Sequence, residues 1–297
     1  MNILITGSSG LIGTALRDSL TKSGHTIYVM NRGKDKNSPF YWQPDTNTIS
    51  FDEAINIDAV INLAGSNISD GRWTEAKKKT IFDSRINSTT LLSAHLAKLN
   101  SPPRVFISAS AIGFYGDTGE EQVDEHNTAG SDFLAHVAQR WEEATQPAVS
   151  AGIRTINLRT GIVLSPHGGA LKQMLTPFKL ALGGVIGSGK QYMSWVSLPE
   201  VCNIIEFILK TESISGPLNM VSPTPVTNYE FTKGLGQSLS RPTLFPMPAF
   251  VARLIFGEMA DALLLSSIRV EPNKLVNAGY AFINKNLSET FNAILKE

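Results

Sequence analysis

The chain has few of the residues that cross-link small secreted folds or hold metals. A single cysteine, Cys202, among 297 residues excludes an internal disulfide and points to a reducing, cytoplasmic setting. The five histidines, His25, His95, His126, His136 and His167, show no ligand spacing, so no metal site is expected. Neither sign of charge dominates. Lys+Arg and Asp+Glu are both 26, which gives no electrostatic reason to expect nucleic acid or an anionic membrane as partner. No apolar run is long enough to cross a bilayer, since the most apolar late stretch, 250–268, is interrupted by Arg253, Glu258 and Asp261. The first residues read as a strand and not as a basic leader segment. What is present is 42% hydrophobic residues over a length that suits one large α/β domain, or a nucleotide-binding domain with a smaller lobe.

The most informative stretch is Gly7-Ser8-Ser9-Gly10-Leu11-Ile12-Gly13, directly behind the apolar run Ile3-Leu4-Ile5. A strand that ends in G-x-x-G-x-x-G and opens into a helix cradles a nucleotide pyrophosphate, because the glycines allow a tight turn and the helix N-terminus attracts the anion. The helical pattern that follows (Leu11, Ile12, Ala15, Leu16, Leu20, then Gly24) supplies the context this motif needs. A plain strand–helix turn is the bland alternative.

Strand and helix patterns then alternate. Strands are expected over 2–6, 26–31, 59–63, 104–108 and 155–158, with helices over 12–23, 74–98 and 132–150. This predicts a Rossmann-type α/β fold, a doubly wound parallel sheet with a smaller C-terminal substrate lobe. The dinucleotide-binding part is expected over 1–165 and the lobe over 166–297, with 198–221 (a helix at 203–210, a strand at 217–220) returning to the main sheet. Lobe helices are expected over 171–182, 228–240 and 248–265.

The second strand closes on Asn31-Arg32, with Arg32 nineteen residues past Gly13. A carboxylate near this position takes the ribose 2′-hydroxyl of NAD, whereas an arginine suits a 2′-phosphate, so NADP(H) is the expected cofactor. Asp35 lies farther into the loop, and a solvated loop arginine is the alternative. The third strand ends in Asn62-Leu63-Ala64-Gly65, where small residues let a ring or ribose approach and the Asn can tie strands together.

Together these features resemble the extended, epimerase-like branch of the short-chain dehydrogenase/reductases. Further runs are similar to its "epimerase family protein" subgroup, the bacterial and eukaryotic relatives of short-chain dehydrogenase family member 39U. They are Arg72-Trp73-Thr74, Ser84-Arg85, 108–116, 132–135, 158–164, 168–171, 183–189 and a C-terminal segment at 242–297. The resemblance implies that Gly7, Ser9, Gly10, Leu11, Ile12 and Gly13 hold the pyrophosphate and that Asn31 and Arg32 hold the adenosine phosphate. Leu63, Ala64 and Gly65 would line the adenine–ribose side. Arg85 would sit near the cofactor (or be a surface helix charge), and Ser108 and Thr160 would face the nicotinamide half.

The catalytic pattern of that branch is incomplete here. Its members use a Ser or Thr, then Tyr-x-x-x-Lys, the Lys lowering the phenol from about 10 toward neutrality, ~4 kcal/mol for ~3 pH units. Ser110 fits the serine position, but Phe133 and Val137 stand where Tyr and Lys belong, and neither titrates. Tyr115, on the same loop as Ser110, is a substitute if it points into the cleft; loop packing is its other role. His136 lies off the apolar stripe of Phe133, Val137 and Trp141 and reads as solvated. In the stretch 191–200, the resemblance puts His at Ser197 and Asp at Glu200, while Tyr192 and Trp195 line either a substrate site or the core. Two other motifs fail. Residues 184–190 fit G-x-x-x-x-G-K but lack the following Ser/Thr, and His167-Gly168-Gly169 has no G-x-S-x-G elbow to serve.

The expected function is an NADP(H)-dependent oxidoreductase or nucleotide-sugar-epimerase-like enzyme acting on a small molecule, with Ser110 polarising a carbonyl and Tyr115 as acid. A non-catalytic NADP(H)-binding or redox-sensing protein is the rival. The sequence leaves the oligomeric state open, a homodimer included.

Overall fold

Ile3, Leu4 and Ile5 are all fully buried, as a strand covered on both faces requires. In the computed structural model, which describes residues 1–32 and 38–296, this strand is β1 (Asn2–Thr6). It lies in a six-stranded parallel sheet with β2 (Thr26–Val29), β3 (Ala59–Asn62), β4 (Val105–Ala111), β5 (Arg154–Thr160) and β6 (Gly216–Met220). The spatial order is β6-β5-β4-β3-β1-β2. The chain therefore leaves β1 toward one edge and crosses back to β3 on the other side. That reversal opens a crevice at the carboxyl ends of β1 and β3.

Helices cover both faces, giving a Rossmann-type α/β fold. Of these, α1 (Leu11–Lys22) lays Leu16 and Leu20 on Ile3, Ile5 and Ile61. The opposite face takes α2 (Glu75–Leu96), whose Leu92 and Leu96 meet Leu4, Val60 and Phe106. The helix expected over 132–150 is two, α3 (Phe133–Glu143) and α4 (Gln146–Ser150). Asp132 caps α3 by accepting the Ala135 N–H at 2.8 Å, and Pro147, which has no N–H to continue α3, opens α4.

Past β5, α5 (Gly169–Lys179) packs with Trp195 and with α7 (Asn228–Ser238) in a separate apolar cluster. Between them α6 (Leu198–Lys210) returns to the sheet beside α1. The helix expected over 248–265 is interrupted. It comprises α8 (Ala249–Phe256), a break at Gly257 with φ +63°, a short turn of helix and a π-helical turn over Asp261–Leu265. Strands 104–108 and 155–158 run longer than expected, to Ala111 and Thr160, because the polar Ser110 and Arg159 find buried partners. A hairpin over Phe40–Gln43 and Thr48–Phe51, which the sequence reading did not anticipate, pairs with Asn31–Arg32 in a separate three-stranded sheet.

The C-terminal segment is fastened to α6 by a carboxylate. Glu200, fully buried, accepts the Tyr280 hydroxyl at 2.5 Å and the backbone N–H groups of Ile283 and Asn284 at 3.0 and 2.6 Å. Ser197 caps α6 by accepting the Glu200 N–H at 3.2 Å, and donates its own proton to Asn284 Oδ1 at 2.5 Å. Trp195, fully buried with its indole N–H on the Thr224 carbonyl, belongs to the core and not to a pocket wall. Glu200→Gln should cost about 1–3 kcal/mol in urea unfolding, because charge-assisted bonds to two buried N–H groups become neutral ones. An unchanged midpoint would show that Glu200 does not hold the segment.

Candidate functional site

The crevice is built by close backbone approach. Gly7 ends β1 at φ +65°, and a Cβ there would lie 2.6 Å from the Leu63 carbonyl oxygen. Gly13, in the first turn of α1, has its missing Cβ 2.3 Å from the Gly7 oxygen, so the helix rests directly on the loop. Gly10 caps α1 without a side chain, and no acid stands in the first turn. The first helical bond is Thr14 N–H to the Gly10 carbonyl, which leaves the N–H groups of Leu11, Ile12 and Gly13 without an acceptor in the helix. Ser9 is exposed beside them. Leu11 bends against Gly168 and Gly169, where α5 begins, also uncapped by any side chain. The cradle thus combines free donors, a positive helix end and a backbone turn too close for any Cβ at Gly7 or Gly13, a fit for a pyrophosphate.

The strand expected over 26–31 ends at Val29, and Asn31 and Arg32 form a separate, exposed two-residue strand beside it. Asn31 donates to Ser38 Oγ at 2.8 Å, and Arg32 Nη2 meets Asp45 Oδ2 at 3.0 Å with the two side chains 58% and 75% exposed. Such an exposed pair is worth about 0–1 kcal/mol, so the guanidinium is free to exchange Asp45 for a phosphate. Asp35 falls outside the described residues.

Leu63, Ala64 and Gly65 continue β3, held by the Leu63 N–H on Thr6. Arg85 is not a surface charge. Its guanidinium lies against Gly65, donates to the Ser66 and Ile81 carbonyls at 3.0 and 3.1 Å, and stacks on Trp141. Burial alone pulls its pKa down to about 10.

A polar layer crosses the sheet on the α2–α3 side. Thr6 donates to Asn62, whose amide donates to Thr89 at 2.9 Å and Ser108 at 3.3 Å, and the Trp141 indole also donates to Thr89. Asn62 does tie neighbouring strands. Ser108, however, is fully buried three residues inside the end of β4, so it does not face the nicotinamide half as expected. Thr160 does lie at the end of β5, half-buried, with its hydroxyl on the Leu158 carbonyl.

The second half of that layer corrects two further expectations. Ser110 donates to Glu142 Oε1 at 2.8 Å; a hydroxyl has one proton, so Ser110 turns lone pairs, not a donor, to any substrate carbonyl. Arg159 grips both Glu142 oxygens, Nε to Oε1 at 2.8 Å and Nη2 to Oε2 at 2.9 Å, and lies over the Phe114 ring. Its remaining Nη1 donates to the Tyr115 hydroxyl at 3.0 Å, and Tyr115 donates to Asn219 Oδ1 at 2.7 Å. Tyr115 is 4% exposed and burial pushes its phenol up to about 12, so it is a link in this chain and not an acid pointing into the cleft. Glu142, Arg159 and Asn219 escaped the sequence reading because they lie far apart in the chain. They come together only where α3, β5 and β6 meet in the fold.

Phe133 and Val137 belong to an apolar cluster with Trp73 and Met259. Phe133 meets Trp73 edge-on at 5.5 Å, and Val137 is buried. His136 is exposed, beside Phe82. The C-terminal segment closes over this corner. Arg72 donates to the Leu254 and Ile255 carbonyls, and Lys78 pairs with Glu258 at 2.6 Å. A cavity of about 260 Å³ remains between Phe133, Leu134, Trp73 and Ala262. Among the described residues no three His, Cys, Asp or Glu side chains converge on a metal-sized site.

Removing one member of the buried ion pair strands the other. Arg159→Met should destabilise the fold by about 3–5 kcal/mol in urea unfolding, while adding Glu142→Gln should recover part of that loss. Additive losses would mean that the two side chains are not coupled.

Known proteins share this architecture. The model of the NAD dependent epimerase/dehydratase family matches residues 3–220, and that of a domain of unknown function, DUF1731, matches 247–294. The chain is 41% identical to the epimerase family protein Mb2239 of Mycobacterium bovis over 97% of its own length and 95% of that protein's. The crystal structure of human epimerase family protein SDR39U1 (isoform 2) with NADPH superposes with a TM-score of 0.90 at 30% identity, covering all of both chains. A nucleoside-diphosphate sugar epimerase from Corynebacterium glutamicum gives 0.80 at 32%, covering 99% of this chain and 58% of that one. The chain belongs to the NAD dependent epimerase/dehydratase family, as an extended short-chain dehydrogenase/reductase of the epimerase family protein group.

Proposed function

We propose that this chain is an NADP(H)-dependent oxidoreductase acting on a small molecule, in a cytoplasmic setting that suits the inert, buried thiol of Cys202. The observation that carries the reading is the uncapped, Cβ-free cradle of Gly7, Gly10 and Gly13 at the reversal of strand order, with Arg32 at the neighbouring strand end. The human relative crystallised with NADPH supports it. The N–H groups of Leu11, Ile12 and Gly13 take the pyrophosphate, with Ser9 beside them. Arg32 and Asn31 take the 2′-phosphate, and Leu63, Ala64 and Gly65 line the adenine–ribose side. Arg85 keeps the Gly65–Ser66 turn in place from below, and Thr160 borders the nicotinamide half.

When bound, the dinucleotide supplies hydride chemistry. The chain's part is to take the substrate hydroxyl's proton at Ser110 Oγ as the proton of Ser110 passes to Glu142 Oε1. Held by Glu142, that oxygen accepts a hydrogen bond and is suited to a substrate hydroxyl at the reacting carbon. Arg159 keeps Glu142 in place. Nucleotide-sugar-epimerase-like chemistry remains within this reading, since it too begins at an alcohol carbon.

A second reading, a non-catalytic NADP(H)-binding or redox-sensing protein, is favoured by one observation: Phe133 and Val137 are packed into an apolar cluster where the family's phenol and ammonium would stand.

Calorimetric titration should show NADPH binding more tightly than NADH. Arg32→Ala should weaken NADPH by about 10- to 100-fold, ~1.5–3 kcal/mol, and leave NADH unchanged. Equal affinities would remove the case for the 2′-phosphate. In a screen of alcohols and ketones followed by NADPH absorbance, turnover abolished by Ser110→Ala favours the enzyme. Tight binding with no turnover across the panel favours the sensor.

A further inference from the structure

The cavity of about 260 Å³ beside Phe133 is more than a packing gap. Its floor is Phe133 and Leu134 at the start of α3, and its wall is Trp73, just ahead of α2. Trp73 is fixed, with its indole N–H on the Ile68 carbonyl at 2.7 Å and its ring edge-on to Phe133. Ala262 of the C-terminal segment closes the hollow from the other side. That side is also tied down, since the Ser267 N–H meets Asp117 Oδ1 at 3.2 Å and the Thr118 N–H meets the Ser267 carbonyl at 2.7 Å. A preformed aromatic hollow of this kind suits the apolar face of a small ligand.

Its charge is one-sided. Among the described residues no Lys, Arg or His side chain lines it, whereas the exposed carboxylates Asp117, Asp132, Glu258 and Asp261 do. Glu258 is matched by Lys78, whose ammonium lies over the Phe133 ring at 5.4 Å, and Asp261 is matched by Arg253. Asp117 accepts only the backbone N–H groups of Gly119 and Ser267, and Asp132 only that of Ala135. These two carboxylates thus keep their charge at the mouth of the hollow.

We propose that this hollow takes the substrate, and that the substrate is a compact, phosphate-free alcohol or ketone with an apolar ring. The inference rests on the oxidoreductase reading above, because Phe133 stands where the family's phenol would meet its substrate. A nucleoside diphosphate sugar fails twice. Its diphosphate would face carboxylates with no free basic partner, and its bulk is too great for a hollow just below the ~300–1,000 Å³ of ordinary ligand sites. An ammonium group on the substrate is welcome, since Asp117, Asp132 and the ring faces all attract it. Trp73 and Phe133 set the shape of what is accepted, and Asp117 and Asp132 its charge.

Three probes of nearly equal size test this without a known substrate: 2-phenylethanol, 2-phenylethylamine and phenylacetate, which are neutral, cationic and anionic at pH 7. In ligand-observed NMR on the full chain the alcohol and the amine should bind, and phenylacetate should bind at least about 10-fold more weakly than the amine. UDP-glucose should displace neither. Asp117→Asn/Asp132→Asn should bring phenylacetate to within about threefold of the amine, and asparagine still caps α3. Ala262→Phe, which fills the hollow, should abolish binding of the alcohol and the amine, while unchanged NADPH affinity reports that the variant is folded. Phenylacetate binding as well as the amine, displacement by UDP-glucose, or probe binding that survives Ala262→Phe overturns the proposal. NADPH binding with none of the probes bound also overturns it and leaves the coenzyme reading standing. Probes bound by a chain that does not take NADPH would instead sink the coenzyme reading and keep the hollow as a ligand site.

Discussion

The close contact of three backbone segments, the end of β1, the end of β3 and the first turn of α1, is the constraint on which the rest of the molecule depends. Gly7 and Gly13 are glycines because a Cβ at either would fall within 2.6 Å of a backbone oxygen. The contact puts the unpaired N–H groups of α1 at the point where the strand order reverses. The strands on either side are then positioned by parallel pairing with β1, while Asn31 and Arg32 are positioned by pairing with Tyr41 and Trp42.

The polar layer beneath the cradle shows how the fold manages charge inside the sheet. Asn62 satisfies Thr89 and Ser108, and Arg159 has a donor for each Glu142 oxygen and for Tyr115. A buried ion pair is tolerable only when its remaining donors and acceptors are used, and here Ser110, Tyr115 and Asn219 use them. Ser110, as buried as Tyr115, is therefore held with its lone pairs free by its bond to Glu142, and Tyr115 is fixed between Arg159 and Asn219. The apolar Phe133 and Val137 fit the same arrangement, since the cluster they join with Trp73 and Met259 is what seats the C-terminal segment.

That segment is tied down at both ends by polar contacts to the rest of the chain. Glu200 and Ser197 hold its Tyr280–Asn284 stretch, while Arg72 and Lys78 hold the end of α8 and Glu258. The residues at 197 and 200, which depart from the family's His and Asp, have a local reason here. Ser197 both caps α6 and donates to Asn284, and the longer Glu200 reaches two backbone N–H groups.

Local patterns determined by themselves a good part of this protein: the glycine cradle, the buried strands, the apolar stripe of α3 and the absence of Tyr and Lys from it. Each of these is a matter of neighbours within a few residues, where spacing alone dictates geometry. Tertiary structure alone decided what Ser108, Ser110 and Tyr115 do. Their partners Asn62, Glu142, Arg159 and Asn219 lie tens of residues away, and strand pairing together with the seating of α3 on the sheet chose them. The fate of a hydroxyl proton rests on which acceptor is nearest in space, and nothing in local spacing carries that information.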